Sequence, residues 1–467
     1  MVQDIKNFKP SLTSGLVTNR SDRDKHGASI HPVYLSTTFK VDLDNPEAQN
    51  FDYSRSGNPS RSLLQHQIGK LYEVDSSHVL AVASGMTALD VILRGLVVSN
   101  TTHVPTIIAG DDLYGGSNRL LSFLSSKSHA RTVHVDTADF ERFSTVFGSI
   151  DKVDCVLLET PTNPLCKVVD LPRIVSFIKK VSPATCVIVD NTMMSGLNCN
   201  PLNYQCDVVY ESATKYLNGH HDIMGGVIIT RTPKIAQDIY YVVNSTGGGL
   251  SPLESWLLNR GLRTLSVRLY QQQYNSMIIA QWLEDSCGFK PTEKNSTLKT
   301  RYVGLKSNPQ FELHRSFNKG PGAVLSFETG SLEHSRRIVA SKTLQIWSVT
   351  VSFGCVNSLL SLPCMMSHAS IDAAVRKERE FPEDLIRLCV GIEDVSDLQK
   401  DLLNAMIDAD VIELRENGKY LYNKLNDHLG LNTIVENGPK TGNIYEQFYG
   451  NELIEQDSRM DHRALKL

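Results

Sequence analysis

The chain opens with a polar stretch rich in turn formers, and from residue 63 it settles into an alternation of helical and strand-like patterns. In "SLLQHQIGKLYEV" and "TALDVILRGLV" apolar residues recur at helical spacing, while "HVLAVAS" between them is short and apolar throughout. The alternation repeats downstream, with "PTIIAG" before "YGGSNRLLSFLSS", "DCVLLETP" before "LPRIVSFIKKV", then "TCVIVDNT", "CDVVYESATK" and "GGVIIT". Short, β-branched apolar runs separated by helices predict an α/β fold, a mostly parallel sheet with helices on both faces.

A long amphipathic helical stretch, "LLNRGLRTLSVRLYQQQYNSMIIAQWLED", marks a boundary near residue 262. Beyond it "GAVLSFETG" and "LQIWSVTVSFG" read as strands, and "LIRLCVGIEDVSDLQKDLLNAM" as a strand turning into a helix, so a smaller α+β unit follows. The expected organisation is an N-terminal arm at 1–62 with "SRSGNPS" as an irregular loop, a first domain at 63–262, a C-terminal domain at 263–411, and a tail at 412–467. The tail is set apart by its Asn, Gly and charge content.

Composition narrows the function. The 467 residues are 41% hydrophobic and 21% charged, ordinary for a globular chain, and 47 Lys+Arg against 51 Asp+Glu leave a net charge of -4. Such a balance supplies no basic field for nucleic acid or an anionic membrane surface, and a small-molecule partner is expected. No stretch approaches the roughly 20 apolar residues of a membrane helix, and "MVQDIKNFKPSLTSG" lacks the apolar core of a signal peptide, so the expectation is a soluble, unsecreted protein. The nine cysteines form no C-x-x-C pair and mostly sit in apolar runs; they read as reduced core thiols.

Ligands of open α/β sheets bind at the carboxyl ends of the strands, so the residues after each apolar run carry the chemistry. After "HVLAVA" come Ser84, Gly85, Met86 and Thr87 before a helix, a turn that caps a helix and also suits a phosphate. Asp190 ends "CVIVD", where a buried charge calls for a cationic neighbour. Ser212, Thr214 and Lys215 follow "DVVYE": two hydroxyls able to donate to phosphate, and an amine able to form a covalent bond to an aldehyde once its pKa is lowered. Each has an ordinary structural reading, but an anion site, a buried carboxylate and a lysine at neighbouring strand ends together fit pyridoxal 5'-phosphate. His220, His221 and Asp222 are consecutive and lack metal-ligand spacing, so no metal is expected. "TGGGLSP" at 246–252 lacks a phosphate-loop signature and reads as a mobile loop.

These residues sit within a series of motifs: "YSRSGNPS", "ASGMTAL", "DDLYGGS", "ETPTNP", "VDNT", "SATKYLNGHHD", "SPLESWLLNRGLRTL", "GAVLSFE" and "LIRLCVGIEDVSDL". In this order, over about residues 15 to 405, the chain resembles the pyridoxal-phosphate enzymes of cysteine and methionine metabolism, the cystathionine lyase and synthase group. The resemblance implies the type I fold of pyridoxal-phosphate-dependent transferases. It makes Lys215 the lysine that carries the cofactor, Asp190 the partner of the ring nitrogen and Tyr114 the residue stacked on the ring. Gly85, Met86, Ser212 and Thr214 would hold the phosphate, with Tyr53 and Arg55 reaching in from a neighbouring subunit of a homodimer or homotetramer. Asn163 would lie beside the cofactor's phenolic oxygen, and Arg387 with Ser352 would receive the substrate carboxylate. Arg387 also suits that task by its planar fork, against the plain alternative of a surface pair with Glu383 or Asp384.

The group contains β-eliminating, γ-eliminating and γ-replacing members. Val351, just before Ser352, stands where the γ-type enzymes carry glutamate, and an apolar residue there resembles the β-lyases. The expected reaction is β-elimination of cystathionine to homocysteine, pyruvate and ammonia, a step of methionine biosynthesis, with γ-elimination or replacement as the alternative and a catalytically silent scaffold as a third. Two stretches depart from the commoner wording: "GCVNSL" in place of G-G-x-E-S-L, and "GHHD" where many relatives have G-H-S-D. The last residues, Leu465-Lys466-Leu467, are a degraded version of the Ser-Lys-Leu signal, giving peroxisomal import through its receptor as one expected address and the cytoplasm as the other.

Overall fold

A computed structural model of the protein describes residues 10–18, 26–45, 51–98, 103–369 and 373–430. Strands β1 (Val79–Val82), β2 (Thr106–Gly110), β3 (Arg131–Val135), β4 (Cys155–Glu159), β5 (Cys186–Asp190), β6 (Val208–Ser212) and β7 (Gly226–Thr230) form one sheet. Their order is β1-β7-β6-β5-β4-β2-β3, and β7 alone runs against its neighbours. β2, β4 and β7 are buried at every position, because helices cover both faces. Val156 and Leu158 of β4 pack into one core with Leu64, Ile68, Ile174 and Ile178, while the intervening Leu157 points into a second core with Leu89, Ile92 and Leu121. Each such leucine or isoleucine contributes about 1.5–3 kcal/mol on full burial. β3 has no counterpart in the sequence reading: it is an edge strand, partly exposed at most positions, and its polar residues mask the pattern.

Helices begin at side-chain caps. Asn58, Ser84, Asp170 and Asp394 each accept an N–H from the first turn that follows. Asn58 precedes a helix at Pro59–Tyr72, so the end of "SRSGNPS" is a helix start rather than irregular loop. The segment read as a mobile loop at 246–252 is tied to the β1 strand: Ala83 N–H donates to the Gly248 carbonyl at 2.9 Å, and Leu250 N–H to that of Ala81 at 3.1 Å.

The long helical stretch is two helices, Pro252–Leu262 and Leu265–Asp285. The second does not sort apolar from polar residues by face: polar Arg268, Gln272, Gln273 and Asn275 are buried while Val267 is exposed, and Leu265 and Leu269 lie in the core of the large sheet while Ile279, Trp282 and Leu283 lie in that of the smaller unit. Its polar side chains bond to carbonyls, as Gln272 Nε2 does to Cys355 at 2.7 Å.

The smaller unit is built on β8 (Lys299–Arg301), β9 (Val324–Glu328), β10 (Ser348–Val349), β11 (Leu359–Ser361) and β12 (Leu385–Cys389), ordered β10-β11-β12-β9-β8. Only Ser348–Val349 of the expected strand "LQIWSVTVSFG" joins this sheet. The N–H groups of Gln345, Ile346 and Trp347 bond instead to the Asp401 carboxylate at 2.8, 2.8 and 3.0 Å.

Part of the expected tail is folded: β13 (Ile412–Arg415), β14 (Tyr420–Asn423) and β15 (His428–Leu429) make a three-stranded antiparallel sheet. It is anchored by buried Leu421 and by Asn423 Nδ2 donating to the Cys287 carbonyl at 2.7 Å. The remainder of the tail, with Leu465-Lys466-Leu467, lies outside the described residues. All nine cysteines are free, eight of them buried. Among the described residues no helix is long and apolar enough to cross a membrane.

Candidate active site

The carboxyl ends of β1, β4, β5 and β6 open on one side of the large sheet, and β12 of the smaller unit adds to them. After β1, Ser84 Oγ accepts the Thr87 N–H at 2.9 Å and starts the helix Gly85–Ile92. A Cβ on Gly85 would come within 2.8 Å of Ser212 Cβ, so a glycine is needed to bring the helix start against the end of β6. An anion placed there meets the positive end of the helix and the Ser212 hydroxyl. Thr214 lies in the following turn, its Oγ1 accepting the Gly225 N–H at 3.2 Å.

Asp190, at the end of β5, is buried. Its Oδ1 accepts from Thr192 N at 3.0 Å and Thr192 Oγ1 at 2.5 Å, and the same hydroxyl accepts the Ser212 N–H at 2.9 Å, so Thr192 ties the carboxylate to the anion cradle. Burial raises the Asp190 pKa, and it makes no ion pair with any described residue. Its neighbour across the register, Glu159, is also buried and its pKa is pushed well up, first by burial and then by Asp190. Glu159 Oε2 accepts the Tyr114 N–H at 3.1 Å, which fixes the start of the helix Gly115–Ser126. The Tyr114 ring lies over Gly116, where a Cβ would fall 2.4 Å from Tyr114 Cε1 and 3.0 Å from Met86 Sδ.

Lys215 follows β6 in a turn, and its Nζ donates to Ser352 Oγ at 2.7 Å and lies 5.3 Å from the centre of the Phe353 ring. Burial, and then the Arg387 charge, lower its pKa to about 8. Arg387 is held on β12 between β9 and β11 and is 2% exposed. Its Nη1 donates to Asn163 Oδ1 at 2.9 Å and its Nη2 to the Ser352 carbonyl at 3.0 Å, while Nε finds no partner among the described residues. The surface-pair alternative does not form: Glu383 takes Arg376 at 2.7 Å, and Asp384 accepts the Gly330 N–H at 2.6 Å.

Ser352 therefore joins amine and guanidinium, and it does so at φ 97°, a region that costs a residue with a side chain on the order of 1–3 kcal/mol. Val351 beside it is 49% exposed. Tyr53 and Arg55 stand apart from this cluster. Both are exposed, the Arg55 guanidinium lies 5.0 Å from the Tyr53 ring, and the Arg55 carbonyl is held by Arg61 Nη2 at 3.1 Å. Glu159, Thr192 and Phe353 are the site residues that sequence reasoning missed, although Glu159 and Thr192 lie inside "ETPTNP" and "VDNT".

The residues fit pyridoxal phosphate on their own terms. The amine of Lys215 has a lowered pKa, the buried Asp190 forms no ion pair among the described residues, and a glycine-opened helix start lies beside a hydroxyl. This combination defines a pyridoxal-phosphate enzyme of the type I fold. The chain belongs to the Cys/Met metabolism PLP-dependent enzymes, whose family model matches residues 13–407. It is 70% identical over 460 residues to a Saccharomyces cerevisiae protein named cystathionine beta-lyase, covering 98% of this chain and 99% of the relative. It is 34% identical to the cystathionine gamma-lyase of Bacillus subtilis, over 82% of this chain and 95% of the other. Among solved structures, cystathionine gamma synthase from Xanthomonas oryzae pv. oryzae in complex with cystathionine matches with a TM-score of 0.79 and 32% identity, over 86% of this chain and 99% of that one.

Proposed function

We propose that the protein is a carbon-sulfur lyase that cleaves L-cystathionine by β-elimination, releasing homocysteine, pyruvate and ammonia. The observation that carries this reading is the 70% identity, over nearly the whole of both chains, to a relative named for that reaction. Val351 supports it, because the γ-type enzymes of the group carry glutamate at this point and an apolar residue there resembles the β-lyases. Other cysteine S-conjugates present the same amino-acid head and are expected as further substrates. The γ-eliminating alternative rests on the more distant relatives, and identifying the keto acid released from cystathionine decides between them.

In this reading Lys215 would carry the cofactor, Asp190 would pair with its ring nitrogen and Tyr114 would stack on the ring, while Gly85, Met86, Ser212 and Thr214 would hold the phosphate and Asn163 would lie by the phenolic oxygen. Pyridoxal phosphate supplies, when bound, an electron sink conjugated to the substrate Cα. The protein's own part is positional and protolytic. Arg387 receives the substrate carboxylate with its fork, giving up the Ser352 carbonyl and using its free Nε, and so fixes the direction of the Cα–H bond. The Lys215 amine would take the Cα proton. With its pKa lowered to about 8, a useful fraction of the amine is neutral near pH 7, where an ordinary lysine would be almost wholly charged. The Cβ–S bond then breaks, the thiolate of homocysteine leaves, and water completes the release of pyruvate and ammonia.

The exposed Tyr53 and Arg55 support a homodimer in which each reaches the partner's phosphate, with a tetramer as a pairing of dimers. The division into arm, first domain and C-terminal domain near residues 62 and 262 is part of the same proposal. A peroxisomal address rests on Leu465-Lys466-Leu467 alone. Fusing residues 456–467 to a fluorescent protein tests it: punctate signal supports import, and diffuse signal supports the cytoplasm.

A further inference from the structure

The two stretches in which the chain departs from the commoner family wording face each other. Cys355 Sγ lies 3.2 Å from His221 Nδ1, and the Val356 N–H donates to the Gly219 carbonyl at 3.0 Å. They close a longer line of contact between residues 215–221 and 352–356. At its inner end Lys215 Nζ bonds Ser352 Oγ at 2.7 Å. In the middle, the Phe353 ring meets Tyr216 edge-on at 5.7 Å, and a Cβ on Gly354 would fall 2.7 Å from the Tyr216 nitrogen. Both segments are anchored to the buried helix Leu265–Asp285, through Arg268 Nη1 to the Tyr216 carbonyl at 2.8 Å and Gln272 Nε2 to the Cys355 carbonyl at 2.7 Å. His221 is the exposed member of this line, while Cys355 is 1% exposed beneath it.

Burial pushes the Cys355 thiol up to about 12, so at neutral pH it is an S–H, with His221 Nδ1 at 3.2 Å and the Phe353 carbonyl at 3.5 Å as its partners. The His221 residue itself stands at φ 58°, a conformation that persists for such a side chain only where surrounding contacts hold it. Ser352, at φ 97°, is the other strained residue of the same line and the one that holds Lys215 and Arg387 together.

We propose that His221 and Cys355 form a clasp that fixes the 352–356 segment against the Lys215 turn, and that His221 is thereby a positioning residue: it sets where Ser352 presents Lys215 and Arg387 to substrate. The proposal deepens the functional reading above and rests on its assignment of Lys215, Ser352 and Arg387. Asn at 221 would keep an acceptor and tolerates the left-handed backbone, whereas Ser would be too short to cover the sulfur.

The test uses the full-length, cofactor-loaded protein with the variants His221→Ser, His221→Asn, Cys355→Gly and the double variant His221→Ser/Cys355→Gly. Iodoacetamide labelling of native protein, read by peptide mass spectrometry, is expected to modify Cys355 roughly tenfold faster in His221→Ser than in wild type, with Cys389 unchanged and His221→Asn close to wild type. Each disruptive single variant is expected to raise KM for cystathionine roughly fivefold, a coupling of ordinary size for contacting residues, and the double variant to cost no more than either alone. An unchanged Cys355 labelling rate in His221→Ser, or KM losses that multiply in the double variant, would overturn the clasp. If the wild-type protein proves inactive on cystathionine while the labelling contrast holds, the substrate reading fails and the clasp stands.

Discussion

Lys215 Nζ donates to Ser352 Oγ at 2.7 Å, and the carbonyl of the same serine accepts Arg387 Nη2 at 3.0 Å, so one strained residue links the amine from the large sheet to the guanidinium from the small one. The relationship has a pH signature. A lysine reacts with an aldehyde only as the free amine, and the folded-state pKa of Lys215 is lowered to about 8 by burial and Arg387. Cofactor capture by apoprotein should therefore accelerate with rising pH with a midpoint near pH 8, read by the growth of the near-visible band. Ser352 Oγ accepts from the charged amine and so favours it. Ser352→Ala should move the midpoint down, by roughly one unit. A midpoint at the ordinary lysine value would contradict the account of the buried amine.

Arg387 is expected to act on substrate binding. Arg387→Lys keeps the charge and loses the fork, and should raise KM for cystathionine by about 10- to 100-fold, the range of one or two charge-assisted hydrogen bonds, with a smaller effect on kcat. Steady-state kinetics measure the split. An unchanged KM would remove Arg387 from the carboxylate role and leave it a structural tie between Asn163 and Ser352.

Much of this site was legible in the sequence because the chemistry of an open α/β sheet gathers at strand ends, and strand ends are visible as the places where apolar runs stop. Asp190, Ser212, Thr214 and Lys215 could be found that way. Arg387 could not: it lies within the strand Leu385–Cys389, buried among apolar neighbours, and only the motif distinguished it from a surface partner of Glu383. Glu159 escaped because its work is done across the sheet, by register with Asp190 and a bond to the Tyr114 N–H. The helix Leu265–Asp285 misled for a related reason, since its polar residues are satisfied by carbonyls of two packed units and sequence periodicity cannot tell such a residue from one facing water. The hairpin strands after Ile412 were hidden by their Asn, Gly and charged composition, which burial of a few residues such as Leu421 outweighs.

Tyr53 and Arg55 give a prediction about assembly. If they complete the site of a second copy, then Lys215→Ala and Arg55→Ala, each nearly inactive alone, should recover activity when unfolded and refolded together. In a mixed dimer one of the two sites has both residues intact, so about a quarter of the wild-type activity is expected from random pairing. Failure to recover any activity, with mixed dimers demonstrated by mass, would place both residues in their own subunit's site or outside the site.

Val351 governs the choice of bond in this account. Val351→Glu should lower β-elimination relative to γ-elimination by several-fold, followed as the ratio of pyruvate to 2-oxobutyrate. An unchanged ratio would show that the position does not set the reaction type.

The central claim is tested most directly by giving the purified, cofactor-loaded protein L-cystathionine and identifying the products. Pyruvate together with homocysteine is the predicted result. 2-Oxobutyrate together with cysteine would contradict it and make the protein a γ-lyase.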